Sequence, residues 1–239
     1  MSPPELTVVM PVFNEEAAVG AVAGEWMATL EGLGIDYQLR IYNDGSTDGT
    51  AAQLERLALG SPRVAVCNQA NRGHGPTVLR GYREAAGVWV FQVDSDGEMP
   101  AGPFRQLWAE RQGYDLLLGF RAGRASPLGR RIITAASRLA VRLLWGPGIR
   151  DVNTPYRLMR KARLEEMLGV IPPEAFAPNV IISGLAVRRK LRVYQCPVPH
   201  QGRRSGKVSI FGLKLWRSAW RAFRQTLRVA RSQTRATAR

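Results

Sequence analysis

Cysteine and histidine are scarce in this chain of 239 residues, which contains two of each. The two cysteines, Cys67 and Cys196, are too few for the disulfide framework that holds small secreted domains together. They are also too few for a zinc site with four cysteine ligands. The composition therefore excludes both kinds of scaffold and suits a reducing compartment.

A long apolar run is missing as well. A helix that spans a membrane needs about 20 apolar residues, and the longest weakly polar stretch, residues 176–187, is shorter and contains Pro178 and Asn179. The first residues, Met-Ser-Pro-Pro-Glu, lack the basic group that opens a secretory signal peptide. We therefore expect a cytoplasmic protein that associates peripherally with the inner face of the membrane.

Acidic residues become rare after the middle of the chain. Residues 121–239 contain 26 basic and 4 acidic residues, a net charge of +22, whereas residues 1–120 contain 8 basic and 15 acidic residues, a net charge of −7. So basic a half is typical of proteins that meet phosphate groups on nucleic acid, anionic lipids or a phosphorylated substrate. Because no helix-turn-helix, zinc or RNA-recognition signature is present, we expect no nucleic-acid partner and keep nucleic-acid binding as a remote alternative.

The first 120 residues alternate between predicted strands and helices. The predicted strands are residues 6–12, 37–42, 64–67, 88–93 and 115–120, and the predicted helices are residues 15–33, a segment capped by Ser46 or Thr47 that ends at Leu59, and residues 77–86. This alternation predicts an α/β fold with a mostly parallel central sheet flanked by helices on both faces.

The second half has fewer regular signals. They predict helices over residues 130–144 and 160–168, loops over 151–157 and after Pro172-Pro173, a strand over 193–198, a Gly-rich loop over 202–206, and a helix from about Phe211. We therefore predict one domain over residues 1–210, with halves 1–120 and 121–210, followed by a basic amphipathic helix and tail over 211–239.

Paired carboxylates follow the fourth predicted strand. Asp94 and Asp96 are two residues apart, just past an apolar run, and the carboxyl ends of parallel strands meet at one edge of a sheet, where ligands bind. Two such carboxylates suit a shared Mg²⁺ or Mn²⁺ ion that also contacts a diphosphate. The alternative is a solvated turn, which is a common setting for an Asp-x-Asp triplet.

Two other strand-end loops have simpler alternatives. In Asn43-Asp44-Gly45-Ser46 we expect Asp44 to contact a ligand, and we expect Ser46, Thr47 and Asp48 to cap the following helix. The sequence Asn71-Arg72-Gly73-His74-Gly75 is either a phosphate loop or a tight turn. For His74 and His200 we favour a polar role at the surface over a role as base or ligand.

These segments together resemble family 2 glycosyltransferases with a GT-A fold. The matching segments are Val9 to Glu16, Tyr42 to Thr50, Asn71 to Gly75 leading to Gly81 and Ala85, and Asp94 to Asp96. Within that family the chain is most similar to polyprenyl-phosphate sugar synthases such as dolichyl-phosphate mannose synthase. The closer similarity rests on Gly119-Phe-Arg121, on Arg130, Arg131 and Thr134, on Asp151 with Tyr156-Arg157, and on Arg203 with Gly206-Lys207.

The resemblance implies a role for each matching residue. The nucleotide-sugar pocket would be lined by Pro11, Phe13, Glu15, Asp44 and Asp94. The metal would be held by Asp94, Asp96 and Glu98, where Glu98 stands in place of a metal-binding Gln. The acceptor phosphate would meet Arg121, Arg130, Arg131 and Thr134, and Arg203 and Lys207 would close over phosphates. The chain departs from the family pattern at Asn43, where an Asp is usual, and at Phe120, where the synthases have a Ser.

The implied reaction moves one sugar, with inversion, from a GDP- or UDP-sugar to a membrane polyprenyl phosphate. A phosphate monoester is already ionised at neutral pH and needs no base, whereas a hydroxyl acceptor does. Asp151 is the candidate base; it is alternatively a residue that orients Arg157 or an ion-pair partner that holds a loop. Transfer to a hydroxyl of a lipid or glycan therefore stays open as the alternative reaction.

The predicted C-terminal helix carries an aromatic stripe and a basic stripe. The first is formed by Trp216, Ala219, Trp220, Phe223, Leu227 and Ala230, and the second by Lys214, Arg217, Arg221, Arg224, Arg228 and Arg231. We favour a helix that lies on an anionic membrane surface through residues 211–231. The alternatives are a helix docked on the core with a solvated basic edge, and a surface that binds a membrane subunit.

Overall fold

The fold is given by a computed structural model that describes residues 3–122, 128–201 and 213–237, with side chains defined except at 128–134, 213–216 and 234–237. Its strands are β1 (Leu6–Val12), β2 (Tyr37–Asp44), β3 (Val64–Gln69), β4 (Trp89–Gln92), β5 (Leu116–Ala122), β6 (Arg157–Arg160) and β7 (Val193–Pro199). Its helices are α1 (Val19–Gly32), α2 (Thr50–Gly60), α3 (His74–Glu84), α4 (Phe104–Glu110), α5 (Leu128–Trp145), α6 (Lys161–Leu168), α7 (Pro178–Arg188) and α8 (Leu213–Thr237).

The described strands form one sheet of seven in the order β3-β2-β1-β4-β6-β5-β7. Strand β1 runs parallel to β2 and β4, β2 is parallel to β3, and β5 is parallel to β7. Strand β6 is antiparallel to both of its neighbours, β4 and β5. The prediction of a mostly parallel α/β sheet is confirmed, and the carboxyl ends of β1, β2 and β4 lie at the same edge.

Three elements have no counterpart in the sequence-based prediction: α4, β6 and α7. Strand β6 is the four residues Arg-Leu-Met-Arg, of which Arg157 was predicted to end a loop. Helix α7 begins with Pro178 at its first position, and residues 178–186 are all buried. A helix that is buried on every side shows no amphipathic period, so its pattern does not distinguish it from an apolar loop.

Three predicted helix starts are wrong. Helix α1 begins at Val19 rather than at Glu15. Helix α2 begins at Thr50 rather than after Ser46 or Thr47, and its N-cap residue is Gly49. Oδ1 of Asp48, just before that residue, accepts a hydrogen bond of 3.0 Å from the Thr50 amide. Helix α3 begins at His74, three residues before the predicted start. Gly73, which precedes it, has a φ of 90°, a conformation that glycine adopts without strain.

The sheet separates two apolar layers. On one face Trp26 of α1, Phe104 of α4, Phe91 of β4 and Tyr156 pack together, with ring centroids 4.7–5.7 Å apart. The other face is covered by α3, α5, α6, α7 and α8. Because successive strand side chains point to opposite faces, β1 contributes to both layers and is fully enclosed.

Helix α8 is docked on the core by the C-terminal half of its described side chains. Gln225, Val229 and Ala230 are buried, whereas Trp220 and Phe223 are 62% and 38% exposed. The predicted aromatic stripe is therefore divided between the core and the surface. Among the described residues, no helix combines the length and apolar character needed to cross a bilayer.

Candidate active site

A shallow open cleft lies at the edge of the sheet where β4 and β5 end. Its polar lining consists of Asp94, Asp96, Glu98 and Arg121, and its apolar lining consists of Val93, Met99 and Pro155. The structure thus brings the three carboxylates predicted to hold a metal together with the first arginine predicted to meet the acceptor. These side chains come from segments about 25 residues apart, because the parallel topology places both strand ends at one edge.

Asp94 is held from two sides. Its Oδ1 atom lies 3.1 Å from Nε2 of Gln92 and 3.1 Å from Nε2 of His74. Burial raises the pKa of the Asp94 carboxyl, but the charge and hydrogen bond of His74 lower it more, and the net direction is downward. Partial desolvation of the ring lowers the pKa of His74, but the charge and hydrogen bond of Asp94 act in the opposite direction and the net shift is upward. The side chain of His74 is 56% exposed. The shifts favour an ion pair, so His74 is an exposed polar partner of the cleft residue Asp94.

Asp96 and Glu98 are fixed by the turn that contains them. The amide of Glu98 donates to Oδ1 of Asp96 over 3.1 Å. Oε2 of Glu98 lies 2.8 Å from Nε2 of His200, whose side chain is only 8% exposed. The prediction of a surface role for His200 is therefore wrong, because this residue joins the end of β7 to the acidic turn.

The donor set fits a hard divalent cation that shares its coordination with a substrate. Among the described residues, no group of three or more His, Cys, Asp or Glu side chains is arranged to coordinate a metal ion without further ligands. Mg²⁺ is usually bound through one or two carboxylates together with waters and substrate phosphates rather than by an all-protein cage. Asp94 and Asp96, with Glu98 beside them in the cleft, are therefore suitable residues to hold Mg²⁺ or Mn²⁺ together with a diphosphate.

Arg121 makes a two-point ion pair with Asp151. Its Nε and Nη2 atoms donate to the two carboxylate oxygens over 2.7 and 2.9 Å, and both side chains are nearly buried, at 13% and 12% exposed. Burial raises the pKa of Asp151, but the hydrogen bonds and charge of Arg121 lower it more, so its net direction is downward. A carboxylate held in its ionised form in this way is a weak proton acceptor. The structure favours the ion-pair interpretation of Asp151 over a general base.

Arg157 is not the partner of Asp151. Its guanidinium is fully buried and donates to the backbone carbonyls of Thr154, Asn179 and Val152 over 2.9, 3.2 and 3.3 Å. These bonds tie the end of the Asp151 loop to the start of α7. Of the alternatives for Asp151, the structure does not support the one in which it orients Arg157, because the side chain of Arg157 is buried and bonds to backbone carbonyls.

Asp44 closes the turn before α3. Its Oδ1 accepts from the Arg72 amide and from Nε2 of Gln69 over 2.8 and 2.7 Å, and its Oδ2 accepts from the Gly73 amide over 2.8 Å. A carboxylate of the protein thus binds two of the amides that a phosphate loop would offer. Of the two alternatives for residues 71–75, the structure favours the tight turn, and it gives Asp44 a positioning role in that turn.

The remaining predicted nucleotide residues lie around the ends of β1 and β2. Pro11 and Glu15 are buried, and the Glu15 amide donates to Oγ1 of Thr50 over 2.9 Å. Phe13 is 38% exposed and presents a ring surface at this edge. Asn43 is bonded to Asn68, from Nδ2 to Oδ1 over 2.9 Å, so the position at which the chain departs from the family pattern is used within the protein.

Part of the predicted acceptor site lies outside the described side chains. Arg130, Arg131 and Thr134 lie on α5, but their side chains fall outside the described set, and Arg203 and Lys207 lie outside the described residues. Sequence reasoning missed Gln92, whose signal was a polar residue in the short apolar segment Trp-Val-Phe-Gln of β4. It considered Arg157 beside Asp151 but did not predict that this side chain is buried in strand β6.

A family model described as glycosyl transferase family 2 matches residues 7–168. An undecaprenyl-phosphate 4-deoxy-4-formamido-L-arabinose transferase from Pseudomonas fluorescens (strain Pf0-1) is 28% identical over 213 residues, 88% of this chain and 61% of that protein. The enzyme of the same name from Pseudomonas aeruginosa (strain LESB58) is 31% identical over 185 residues, 76% of this chain and 54% of that protein. The chain thus spans a little over half the length of these curated relatives.

Solved structures show the same fold. Glucosyl-3-phosphoglycerate synthase from Mycobacterium tuberculosis in complex with uridine-diphosphate has a TM-score of 0.68 and 19% identity, over 95% of this chain and 80% of that one. The complex of that enzyme with Mn²⁺, uridine-diphosphate-glucose and phosphoglyceric acid has a TM-score of 0.67 and 18% identity, over 93% and 80% of the two chains. At this level of identity the similarity shows the GT-A fold alone.

Proposed function

The chain belongs to glycosyl transferase family 2, and from that premise we propose that it transfers a single sugar from a nucleotide-diphosphate sugar to a membrane polyprenyl phosphate. The donor is a GDP- or UDP-sugar, and the transfer inverts the anomeric centre. The names of the curated relatives, which are undecaprenyl-phosphate sugar transferases, support the acceptor class.

The carboxylates of the cleft form the donor side of the proposed site. Asp94, Asp96 and Glu98 line one cleft at the ends of the strands, and a related fold has been crystallised with Mn²⁺ and uridine-diphosphate-glucose. A divalent ion bound there would neutralise negative charge on the departing diphosphate. Phe13 offers an exposed ring for the base at the same edge.

The observation that carries the proposed acceptor is the position of Arg121. Its guanidinium lines the same cleft as the three carboxylates and is held by Asp151. A fixed guanidinium suits the oxygens of a phosphate, with which it forms paired hydrogen bonds. Because the pKa of Asp151 is lowered, this residue is poorly suited to activating a hydroxyl.

The proposed reaction is a single displacement. An oxygen of the acceptor phosphate forms a bond to the anomeric carbon as the bond from that carbon to the diphosphate breaks, and no proton has to be removed from the nucleophile. The residues of the chain act by position: Arg121 orients the acceptor phosphate, and the fixed carboxylates orient the donor. Holding both reactants in line accounts for much of the rate in such a mechanism.

A surface formed by α5 and α8 supports the peripheral membrane location that the lipid acceptor requires. Four of the seven large hydrophobic side chains exposed in the described part of the chain lie on these two helices, which pack against each other: Leu139, Leu143, Trp220 and Phe223. Exposed arginines flank them on both helices: Arg138, Arg142, Arg217, Arg221, Arg224, Arg228 and Arg231. Apolar side chains interspersed with arginines suit an anionic membrane surface, and a membrane subunit is the alternative occupant.

The test combines donor binding with acceptor choice. Purified protein is first titrated with GDP- and UDP-sugars in Mg²⁺ or Mn²⁺ and followed by thermal unfolding; a specific ligand at 100 times its Kd adds about 2.7 kcal/mol of stability. The donor that stabilises the protein is then supplied with undecaprenyl phosphate or with undecaprenol, and the lipid product is analysed by NMR.

We expect a sugar phosphodiester of the prenyl phosphate whose anomeric configuration is opposite to that of the donor. Product from the alcohol only would establish the hydroxyl-transferring alternative. A product with the donor configuration would exclude a single displacement.

A further inference from the structure

We infer that Gln92 is a positioning residue for the donor site, which holds Asp94 in the orientation that binds the diphosphate and its metal ion. The inference rests on the proposed function, since it concerns how the donor carboxylate is held. Gln92 is the last residue of β4 and is fully buried. A buried polar side chain is costly unless its hydrogen bonds are made, and one of those made by Gln92 goes to Asp94 in the cleft.

The orientation of the Gln92 amide follows from its partners. Its Oε1 accepts from Nδ2 of Asn179 over 2.7 Å and from the hydroxyl of Tyr82 over 2.6 Å, and its Nε2 donates to Oδ1 of Asp94 over 3.1 Å. The flipped amide would place its oxygen against the carboxylate and its NH₂ group against that of Asn179. Both contacts are unfavourable, so the network allows a single orientation, in which Gln92 donates to Asp94.

The partners of Gln92 are themselves fixed. Tyr82 is fully buried on α3, and Asn179 is 3% exposed in the first turn of α7. The backbone carbonyl of Asn179 accepts from Nη1 of Arg157 over 3.2 Å. Farther along α7, a Cβ at Gly184 would overlap the indole of Trp145, so α7 packs closely against α5 and has little freedom to shift.

In Asp94, one of the two carboxylate oxygens is already used in hydrogen bonds within the protein. Both of its side-chain hydrogen bonds within the described structure go to Oδ1, from Gln92 and from His74. That arrangement leaves Oδ2 as the oxygen for a ligand. His74 is 56% accessible, whereas Gln92 is buried, so Gln92 is the rigid member of the pair.

Without Gln92, Asp94 has a competing partner. The guanidinium of Arg121 lines the same cleft, and its positive charge contributes to lowering the pKa of Asp94. Without the hydrogen bond from Gln92, the Asp94 carboxylate is free to turn toward the guanidinium of Arg121. An ion pair between them would neutralise both the residue proposed to bind the sugar donor and the residue proposed to bind the acceptor phosphate. Groups that orient the ligands of a metal typically change metal affinity or activity by about 10–100-fold when they are removed.

The test compares two near-isosteric variants of the same network. Gln92→Met removes the donor to Asp94, whereas Tyr82→Phe removes a hydroxyl from the network and leaves the bond from Gln92 to Asp94 in place. For each protein the Kd of UDP and of GDP is measured by calorimetry with Mn²⁺ and with EDTA, and the unfolding midpoint is measured in parallel. Mn²⁺ binding in the presence of the preferred nucleotide is followed separately by the electron paramagnetic resonance signal of the free ion.

We expect Gln92→Met to weaken nucleotide binding about 10–100-fold in Mn²⁺ and to weaken Mn²⁺ binding in parallel, with little change in EDTA. Tyr82→Phe is expected to lower the unfolding midpoint while both affinities stay within about twofold of the wild type. Equal losses of affinity in the two variants, or none in Gln92→Met, would assign Gln92 to stability alone and overturn the inference.

A second variant covers the case in which Gln92→Met does not fold. Gln92→Met combined with Tyr82→Phe also removes the hydroxyl that donates to Gln92, and we expect the same loss of Mn²⁺-dependent binding relative to Tyr82→Phe alone. Equal affinities in the double variant and in Tyr82→Phe would overturn the inference. Failure of the wild-type protein to bind any nucleotide would instead contradict the proposed function, so the two failures are distinguishable.

Discussion

Arg121, which lines the cleft, donates two hydrogen bonds of 2.7 and 2.9 Å to the carboxylate of Asp151, 30 positions later in the chain. The pair fixes the arginine that we propose orients the acceptor phosphate. It also removes the candidate base from that role, because the ionised form of Asp151 is the one that is stabilised.

Asp151→Asn should therefore destabilise the protein without removing a proton acceptor. Loss of one partner of a nearly buried ion pair costs about 3 kcal/mol or somewhat more, which urea unfolding at pH 7 would measure. The kcat/KM of the variant should keep the acid limb of its pH profile. In the control, Glu166→Gln breaks an exposed pair with Arg163 and should cost less than about 1 kcal/mol. Loss of the acid limb with a rate decrease of about a hundredfold or more would instead identify Asp151 as the base.

Asp96→Asn should abolish transfer and leave the fold intact. The asparagine Oδ1 still accepts from the Glu98 amide, so the turn is retained, while a charged ligand for the metal is lost. Transfer assays and circular dichroism on the same preparation measure the two effects. Asp36→Asn, an exposed pair with Arg63 at the opposite edge of the sheet, is the matched control and should stay active. Full activity in EDTA would contradict the proposed metal requirement.

Arg130→Ala should weaken use of the prenyl phosphate and leave donor binding unchanged. A hydrogen bond to a charged group contributes about 1.5–3 kcal/mol, which corresponds to a rise in the acceptor KM of about tenfold or more. Arg138→Ala, an exposed position farther along the same helix, is the control. An equal loss of donor affinity would show that Arg130 belongs to the donor side.

Asp115 should account for part of the acid sensitivity of the protein. Hydrogen bonds from Arg192 lower the pKa of its carboxyl, and burial opposes them. Because the folded pKa lies below the unfolded value of about 3.9, the stabilisation is complete above about pH 4 and is lost as the pH falls through the folded pKa. Asp115→Asn should be less stable than the wild type at pH 7 and lose less stability between about pH 4 and pH 2. Urea midpoints across this range measure the difference, and parallel curves would contradict it.

Trp220→Ser combined with Phe223→Ser should weaken binding to anionic vesicles. These exposed rings lie beside arginines that each contribute about 1 kcal/mol near an anionic surface, an attraction that salt screens. The wild type should bind strongly at low salt, partially at high salt and weakly to neutral vesicles, and the double variant should lose the salt-resistant part. Leu59→Ser, at an 84% exposed position on α2, is the control.

These point variants are preferable to deletion of residues 211–239, because Gln225, Val229 and Ala230 are buried and their removal would open the core. Equal vesicle binding by the double variant and the wild type would show that the two rings do not contact lipid.

The parallel half of the fold and the acidic turn could be predicted because their signals are local. A short apolar run such as Leu6–Val12 predicts a fully buried strand without knowledge of which strands pair with it. The turn residues after it, and the Asp-x-Asp triplet after β4, mark strand ends without reference to the rest of the chain. Parallel topology then places those ends at one edge.

The hydrogen-bond partners of buried polar side chains could not be predicted from the sequence, because the partners are distant from each other in the chain. Tyr82 meets Asn179 across 97 positions and Gln92 meets Asn179 across 87. No spacing rule connects them. The insertion of β6 as an antiparallel strand between β4 and β5 brings Arg157 into the interior and carries the chain on to α7.

The sequence by itself therefore determined the architecture of the first half, the edge at which the site lies and the chemical types gathered there, since apolar periodicity and turn residues act over a few positions. Only the tertiary structure decided which oxygen of Asp94 is held, that Asp44 closes a turn, and that Asp151 pairs with Arg121 rather than Arg157. Those outcomes depend on burial, which makes an unpaired polar group costly and selects one set of partners from many that the composition would permit.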